Sequence, residues 1–163
     1  LRTKSLNIKT LLNRRPLSNC IVAFSMSPDK VADALDKKAP SVKKRICALK
    51  KLANAGWLVG LRLDPLIFCE NWKALYSELI DDILNDIAIK NLHSVSFGPL
   101  RYPKKMYNKI ASLYPEERLF AFPMQSTGQT VSYGTTIENE MTSFIREQLK
   151  KYLSLDKVFQ CST

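Results

Sequence analysis

The sequence predicts an α/β fold: about five mostly parallel strands joined by crossover helices, built either as a doubly wound sheet or as part of a (β/α) barrel. Three observations predict it. Short apolar, β-branched runs alternate with amphipathic helical stretches along the chain, the pattern of repeated right-handed βαβ units. Capping and stop residues punctuate the helices. One run, WLVGLRL at 57–63, is apolar almost throughout, as in a strand covered on both faces of a parallel sheet.

In chain order, CIVAFS at 20–25 is the first strand, and Ser27 with Pro28 supplies an N-cap and first-turn pair for a helix over DKVADALDKK. Ser41, after Pro40, caps a second helix in which Val42, Ile46, Leu49 and Ala53 recur at helical spacing until Gly56 stops it. Its opposite face carries Lys43, Lys44, Lys50 and Lys51, a solvated stripe. The second strand, 57–63, ends before Pro65. Asn71 caps a third helix, whose Trp72, Tyr76, Leu79, Ile80 and Ile83 belong to one broad apolar stripe. HSVSFG at 93–98 is the third strand and leads through PLRYP into a helix near 104–113, after which RLFAF at 118–122 is the expected fourth strand. Between Pro123 and Gly134 helical periodicity disappears, which predicts a hairpin or irregular loop. A helix over 136–153 and a last strand, KVFQC at 157–161, follow. Five strands are too few for a closed eight-stranded barrel, so at least one sheet edge is expected to be open or covered by something else.

At 163 residues and 45% hydrophobic content, the chain suits a single domain over 1–163. Its 25 Lys and Arg against 15 Asp and Glu give a formal charge of +10, which favours polyanionic partners. Cys20, Cys47, Cys69 and Cys161 are too far apart for a CxxC pair, and the single His93 cannot complete a local metal set, so no metal site is expected. No signal peptide and no apolar run of membrane length is evident, and the cysteines suit the reduced thiols of a cytoplasmic protein. The chain starts at Leu1 and not at a methionine, as a fragment of something longer would.

Several short motifs occur in order: TKS at 3–5, FSMSP at 24–28, APSVKKR at 39–45, AGWLVGLRLDPLI at 55–67, ENW at 70–72, SFGPLRYP at 96–103 and the final VFQC. Together they resemble a spore photoproduct lyase. The resemblance implies a radical S-adenosylmethionine enzyme on a partial (β/α) barrel, which reverses a thymine dimer in DNA by abstracting a hydrogen atom with a cofactor-derived radical. It implies further that a four-iron, four-sulfur cluster is held by a CxxxCxxC loop upstream of the segment matching Thr3 to Ser5. The sequence then corresponds to the C-terminal half, needs the N-terminal half as partner, and is expected to bind no cofactor and to turn nothing over alone. No catalytic residue is expected within it.

Carried over residue by residue, the resemblance places Lys4 at the cofactor's carboxylate and Ser25 at its amino-acid or ribose part. Ser27 stands where an asparagine is usual, keeping a hydroxyl in place of an amide. Leu58 to Arg62 would pass near the adenine, where backbone groups can recognise it. Alternation puts Arg62 and Asp64 on one side at a strand end, where an ion pair could shape the pocket; from the residues alone, a structural pair at the sheet edge is the simpler explanation. Arg101 and Tyr102, just after a strand, are placed to touch a phosphate and a base.

The departures lie in the lesion reader. Where the family has Lys-Tyr-Arg-Tyr in a hairpin, this chain has TVSY at 130–133, leaving Tyr133 as the candidate to stack on a base. Glu138 replaces an arginine, and no charged residue occurs from Leu119 to Ile137. A neutral hairpin binds DNA less well than a basic one, which points to an altered substrate or a non-repairing relative. Two other classes compete with the enzyme reading: a non-catalytic basic module that binds nucleic acid, and an inactive truncated remnant. By their setting Trp57 and Trp72 are packing residues, and Cys161 a small buried apolar one.

Overall fold

The computed structural model describes residues 1–85, 89–120, 122 and 124–161. Among these the elements run β1 (Arg2–Thr3), α1 (Lys9–Leu12), β2 (Ile21–Ser25), α2 (Asp29–Leu35), α3 (Val42–Asn54), β3 (Leu58–Leu66), α4 (Trp72–Leu84), β4 (Leu92–Pro99), β5 (Arg101–Pro103), α5 (Lys104–Leu113), β6 (Gln125–Thr127), β7 (Thr130–Ser132), α6 (Thr135–Lys150) and β8 (Val158–Gln160). Five strands form one sheet in the order β1-β2-β3-β4-β8, every neighbouring pair parallel. This is the expected α/β architecture with crossover helices. The three short strands β5, β7 and β6 make a separate antiparallel sheet, so the segment before α6 is a hairpin, turning at Gly128, where φ is +59°.

Strand alternation sorts the large sheet into two unlike faces. Val22, Phe24, Val59, Leu61, Leu63, Val95 and Phe97 point one way and are buried in a single cluster with Leu49 and Leu52 of α3, Leu79 and Ile80 of α4, and Ile145 and Leu149 of α6. Each fully buried side chain of this kind contributes about 1.5–3 kcal/mol. The paired registers Ala23–Gly60–Ser94 and Ser25–Arg62–Ser96 form the other face, which is small and polar. The expectation that β3 is covered on both faces is therefore corrected: its second face carries Gly60, Arg62 and Asp64, the last two only half-buried. Trp57 and Trp72 are core residues as expected; the Trp57 indole N–H donates to Leu11 O, and Trp72 meets Phe144 edge-on at 5.1 Å.

Three local expectations need correcting. RLF at 118–120 is a 3-10 turn, not a strand, and 121 lies outside the described residues. The fifth strand of the sheet is instead β1, two residues long and pairing beside β2. Pro65 does not end β3: the ladder to β4 slips between Leu63 and Leu66 and closes again at Leu66–Pro99, and the Asp64–Pro65 peptide is cis. The starts of α3 and α4 fall where the capping pattern puts them, although neither Ser41 nor Asn71 makes a side-chain cap hydrogen bond, whereas at α2 the N-cap is Pro28, one residue after Ser27, and the helix ends at Leu35. Among the described residues no helix is long and apolar enough to cross a membrane.

Candidate functional site

Strands of a parallel sheet all present their C-terminal ends at one edge, and ligands of such folds gather there. In this chain the tips of β1, β2 and β3 open onto a cleft of about 310 Å³, lined by Lys4, Ser25, Ser27, Asp36, Asp64 and Tyr102 together with apolar Met26, Ile67 and Leu100. Five of the residues singled out from sequence thus share one concave surface. Ser25 is buried, and its hydroxyl accepts a hydrogen bond from Arg2 Nε at 2.9 Å. Arg2 Nη2 donates to Asp64 O at 2.8 Å, so one guanidinium ties the tips of β2 and β3. Tyr102 closes a wall, half-buried beside Tyr107 and Phe120; burial, reinforced by the charge of Glu117, pushes its phenol above the ordinary value.

Lys4 is not a free ammonium in this cleft. Its Nζ lies 2.5 Å from Asp36 Oδ1, while Arg45 Nη2 lies 2.8 Å from Asp36 Oδ2. Arg45 is 1% exposed; its Nε donates to Pro40 O at 2.7 Å and its Nη1 to Ser25 O at 3.3 Å. Burial alone would raise the Asp36 carboxyl, but the hydrogen bonds from Lys4 and Arg45 overcome it and hold the group below its ordinary value.

The ion pair expected between Arg62 and Asp64 does not form. Arg62 Nη1 donates to Leu61 O and Ser94 O, at 3.0 and 3.1 Å, and Nη2 to Ser94 Oγ at 3.0 Å. The guanidinium folds back over Gly60, where a Cβ would sit 3.0 Å from Arg62 Nη2. It therefore points down the strand, away from the tip, though both side chains share the face that alternation predicted. Burial, and then the neighbouring Arg2 charge, depress its pKa. The backbone of 58–62, expected near an adenine, is taken up in the ladders with β2 and β4, with one register shift against β4 between Val59 and Gly60; a second shift lies beyond Leu63, where Asp64 O accepts from Arg2 Nη2.

The residues expected from sequence to read a lesion are split. Arg101 lines a second cleft of about 380 Å³ with Thr130, Ser132, Glu138 and Cys161, and its Nη1 donates to Cys161 O at 2.9 Å. Tyr133 lines neither cleft. It is 2% exposed, its ring packs against Phe68 and Phe122, and its hydroxyl accepts from Phe68 N–H at 3.1 Å. A phenol in this position has no face open to a base, which corrects the stacking expectation; burial pushes its pKa up to about 12. Cys161 is half-buried at the end of β8.

Sequence reasoning missed Arg2, Asp36 and Arg45. The signal for Arg45 was present: it falls three residues after Val42 and four before Leu49, on the buried side of α3. Among the described residues no three His, Cys, Asp or Glu come together to hold a metal ion.

The comparisons with known proteins converge. A family model described as spore photoproduct lyase matches residues 1–160. The spore photoproduct lyase of Clostridium acetobutylicum is 25% identical over 132 residues, covering 81% of this chain and 38% of that protein. That of Bacillus subtilis is 25% identical over 119 residues, covering 72% and 35%. The chain thus spans little more than a third of the length of these relatives. Among solved structures, a spore photoproduct lyase mutant with bound AdoMet and dinucleoside spore photoproduct superposes with a TM-score of 0.78 at 20% identity, covering 98% of this chain and 49% of that one. A second spore photoproduct lyase, complexed with dinucleoside spore photoproduct, gives the same TM-score. The parallel sheet with its crossover helices matches the partial barrel of that enzyme, and the chain belongs to the spore photoproduct lyase family.

Proposed function

We propose that this chain is the C-terminal side of a radical S-adenosylmethionine enzyme that, joined to a cluster-bearing N-terminal half, reverses a thymine dimer in DNA. The observation that carries the reading is the family match over residues 1–160 together with the convergence of Ser25, Ser27, Asp64 and Lys4 on one strand-tip cleft. The donor set suits the polar part of S-adenosylmethionine: two hydroxyls, a carboxylate and neighbouring cations beside an apolar wall. The described residues offer no ligand set for an iron–sulfur cluster, and that group belongs with the other half. When bound, S-adenosylmethionine supplies the radical that abstracts hydrogen from the lesion.

The chain's own residues bind and orient. The Ser25 hydroxyl accepts from Arg2 and keeps its hydrogen to donate to a ligand oxygen. Ser27 adds a second hydroxyl at the same tip, and Asp64 a carboxylate that makes no ion pair among the described residues. Tyr102 and Leu100 exclude water from the far wall, while Arg101 stands at the second cleft, where a nucleic-acid phosphate could approach. The uncharged β6–β7 hairpin and Glu138 point to weaker contact with the phosphates of that DNA than a basic hairpin would give.

The test is the coding frame upstream and the complete protein it encodes. The reading predicts a CxxxCxxC loop, a brown protein, and reductive cleavage of S-adenosylmethionine. A colourless complete protein without such a loop overturns it.

A further inference from the structure

We propose that the groove between α1 and α3 is a second nucleic-acid contact, which holds duplex DNA by its phosphates without reading its sequence. The charge of the chain is divided unevenly. Thirteen of its 25 Lys and Arg lie in 1–28 and 37–63, and those two segments contain no Asp or Glu. The remaining residues are acidic on balance, so the whole positive excess belongs to these segments. The fold brings them together. Trp57 donates its indole N–H to Leu11 O at 3.1 Å, and Pro16 packs beside Gly56, where a Cβ would lie 3.5 Å from its Cγ.

The groove they form encloses about 380 Å³ over a floor of Ile8, Leu12 and Ala48. Lys9 lines it from α1, and Lys44 and Lys51 from α3. Lys44, Cys47, Ala48 and Lys51 follow at i, i+3, i+4 and i+7, so they share one face of α3, with the two lysines about 10 Å apart along the helix. All three lysines are exposed, and none has an ion-pair or hydrogen-bond partner among the described residues. Lys4, Lys73 and Lys150, by contrast, are each paired with a carboxylate. Arg14 and Arg15, exposed just beyond α1, continue the basic strip toward Gly56. The groove shares no lining residue with either cleft described above. Yet Lys4 of the strand-tip cleft and Leu6 of the groove are only two residues, at most about 7 Å, apart. The strip therefore lies on the flank of that cleft, where DNA beside a bound lesion would run.

The lining suits a phosphate backbone better than a protein. Protein interfaces deplete Lys and depend on Trp, Tyr and Arg anchors, whereas this groove has three lysines and no aromatic or Arg. Unstacked bases of a single strand also need aromatic platforms, which leaves the outside of a duplex. Lysine stems cover an apolar floor while their ammonium groups stay in water, and each ammonium that meets a phosphate releases counterions. Affinity gained in this way carries no sequence information, and it offsets the lack of charge in the β6–β7 hairpin. The contact is separate from the seat proposed for S-adenosylmethionine, so its failure would leave that seat untouched.

The experiment uses the complete protein, this chain joined to its cluster-bearing half, and a fluorescent, lesion-free duplex oligonucleotide. Anisotropy at a series of salt concentrations gives the slope of log affinity against log salt. Lys9→Gln, Lys44→Gln and Lys51→Gln together are expected to reduce that slope by about 2–3. Lys90→Gln, Lys150→Gln and Lys151→Gln, which remove the same charge before β4 and at the end of α6, are expected to leave it within about 0.5 of the parent. Circular dichroism verifies that both triple variants are folded. Saturating duplex is also expected to slow alkylation of the exposed Cys47 thiol, followed by mass spectrometry of its peptide. An unchanged slope in the groove variant, or Cys47 alkylated equally fast with and without duplex, overturns the assignment and leaves an acidic protein segment as the occupant. An equal fall in both triple variants overturns it too, because net charge and not the groove would then set the affinity.

Discussion

Replacing Arg45 by methionine is the most informative single change to the framework beneath the cleft. The parent side chain is 1% exposed and reaches three groups at once: it pairs in charge with the Asp36 carboxylate at 2.8 Å and donates to Pro40 O at 2.7 Å and Ser25 O at 3.3 Å. Methionine fills much of the volume but leaves Asp36, 12% exposed, with only the surface ammonium of Lys4. Breaking one side of such a buried pair costs about 3–5 kcal/mol, and each buried carbonyl left without a donor about 1–3 kcal/mol. These effects overlap, so the expected loss is about 3–5 kcal/mol, a large share of the ~5–15 kcal/mol of a typical domain. Urea unfolding followed by circular dichroism measures it as a fall in midpoint at constant slope. Arg45→Met combined with Asp36→Leu, which removes the stranded charge, is expected to be more stable than Arg45→Met alone. The pH dependence has a definite sign. Because the folded Asp36 pKa lies below the ordinary 3.8, its contribution is complete above that value and is lost as pH falls through the folded pKa. Arg45→Met therefore flattens the acid limb of the stability profile. A loss under about 1 kcal/mol, or a double variant no better than the single one, refutes the reasoning.

Other outcomes follow from the same geometry. Tyr133→Phe removes the acceptor of the Phe68 N–H and is expected to cost about 1 kcal/mol in urea unfolding while leaving DNA affinity unchanged; weaker DNA binding at undiminished stability would restore the stacking role. Gly60→Ala places a Cβ 3.0 Å from Arg62 Nη2 and 3.2 Å from Ala23 Cβ, a crowding expected to cost about 1–3 kcal/mol; thermal melting at the parent temperature would contradict the close approach. With a formal charge of +10, the chain should bind duplex DNA with a steep salt dependence, and Arg101→Gln should reduce the slope of log affinity against log salt by about one. An unchanged slope removes Arg101 from the phosphate contacts, and no binding at low salt argues against the non-catalytic nucleic-acid module.

Much of the sheet was legible because periodicity is a local signal. Val22 and Phe24, or Leu61 and Leu63, alternate with polar or small partners, and the stripes of α3 and α4 point to the same core. Short elements escaped. β1 is two residues long and exists only because β2 offers it an edge, whereas RLF at 118–120 is apolar enough for a strand but closes a 3-10 turn. At the site, strand-end logic brought Ser25, Ser27 and Asp64, and the family resemblance Lys4, to one cleft, yet partners were decided by tertiary neighbours. Gly60 and Ser94, from the middle of β3 and from β4, draw Arg62 away from Asp64, and Asp36 at the end of α2 captures Lys4. A glycine within a strand signals close approach, so the seat of the Arg62 guanidinium was hinted at; its direction was not. Tyr133 was misplaced because an aromatic in a hairpin satisfies a stacking role and a packing role equally well until its burial is known.

The measurement closest to the central claim is an amide chemical-shift map of this chain, isotope-labelled and joined to its cluster-bearing half, titrated with S-adenosylmethionine. The account predicts that the largest shifts cluster at Ser25, Ser27, Asp64 and Tyr102, around the strand-tip cleft. Shifts concentrated at the hairpin cleft or on the lysine face of α3, with those four residues unmoved, would contradict it.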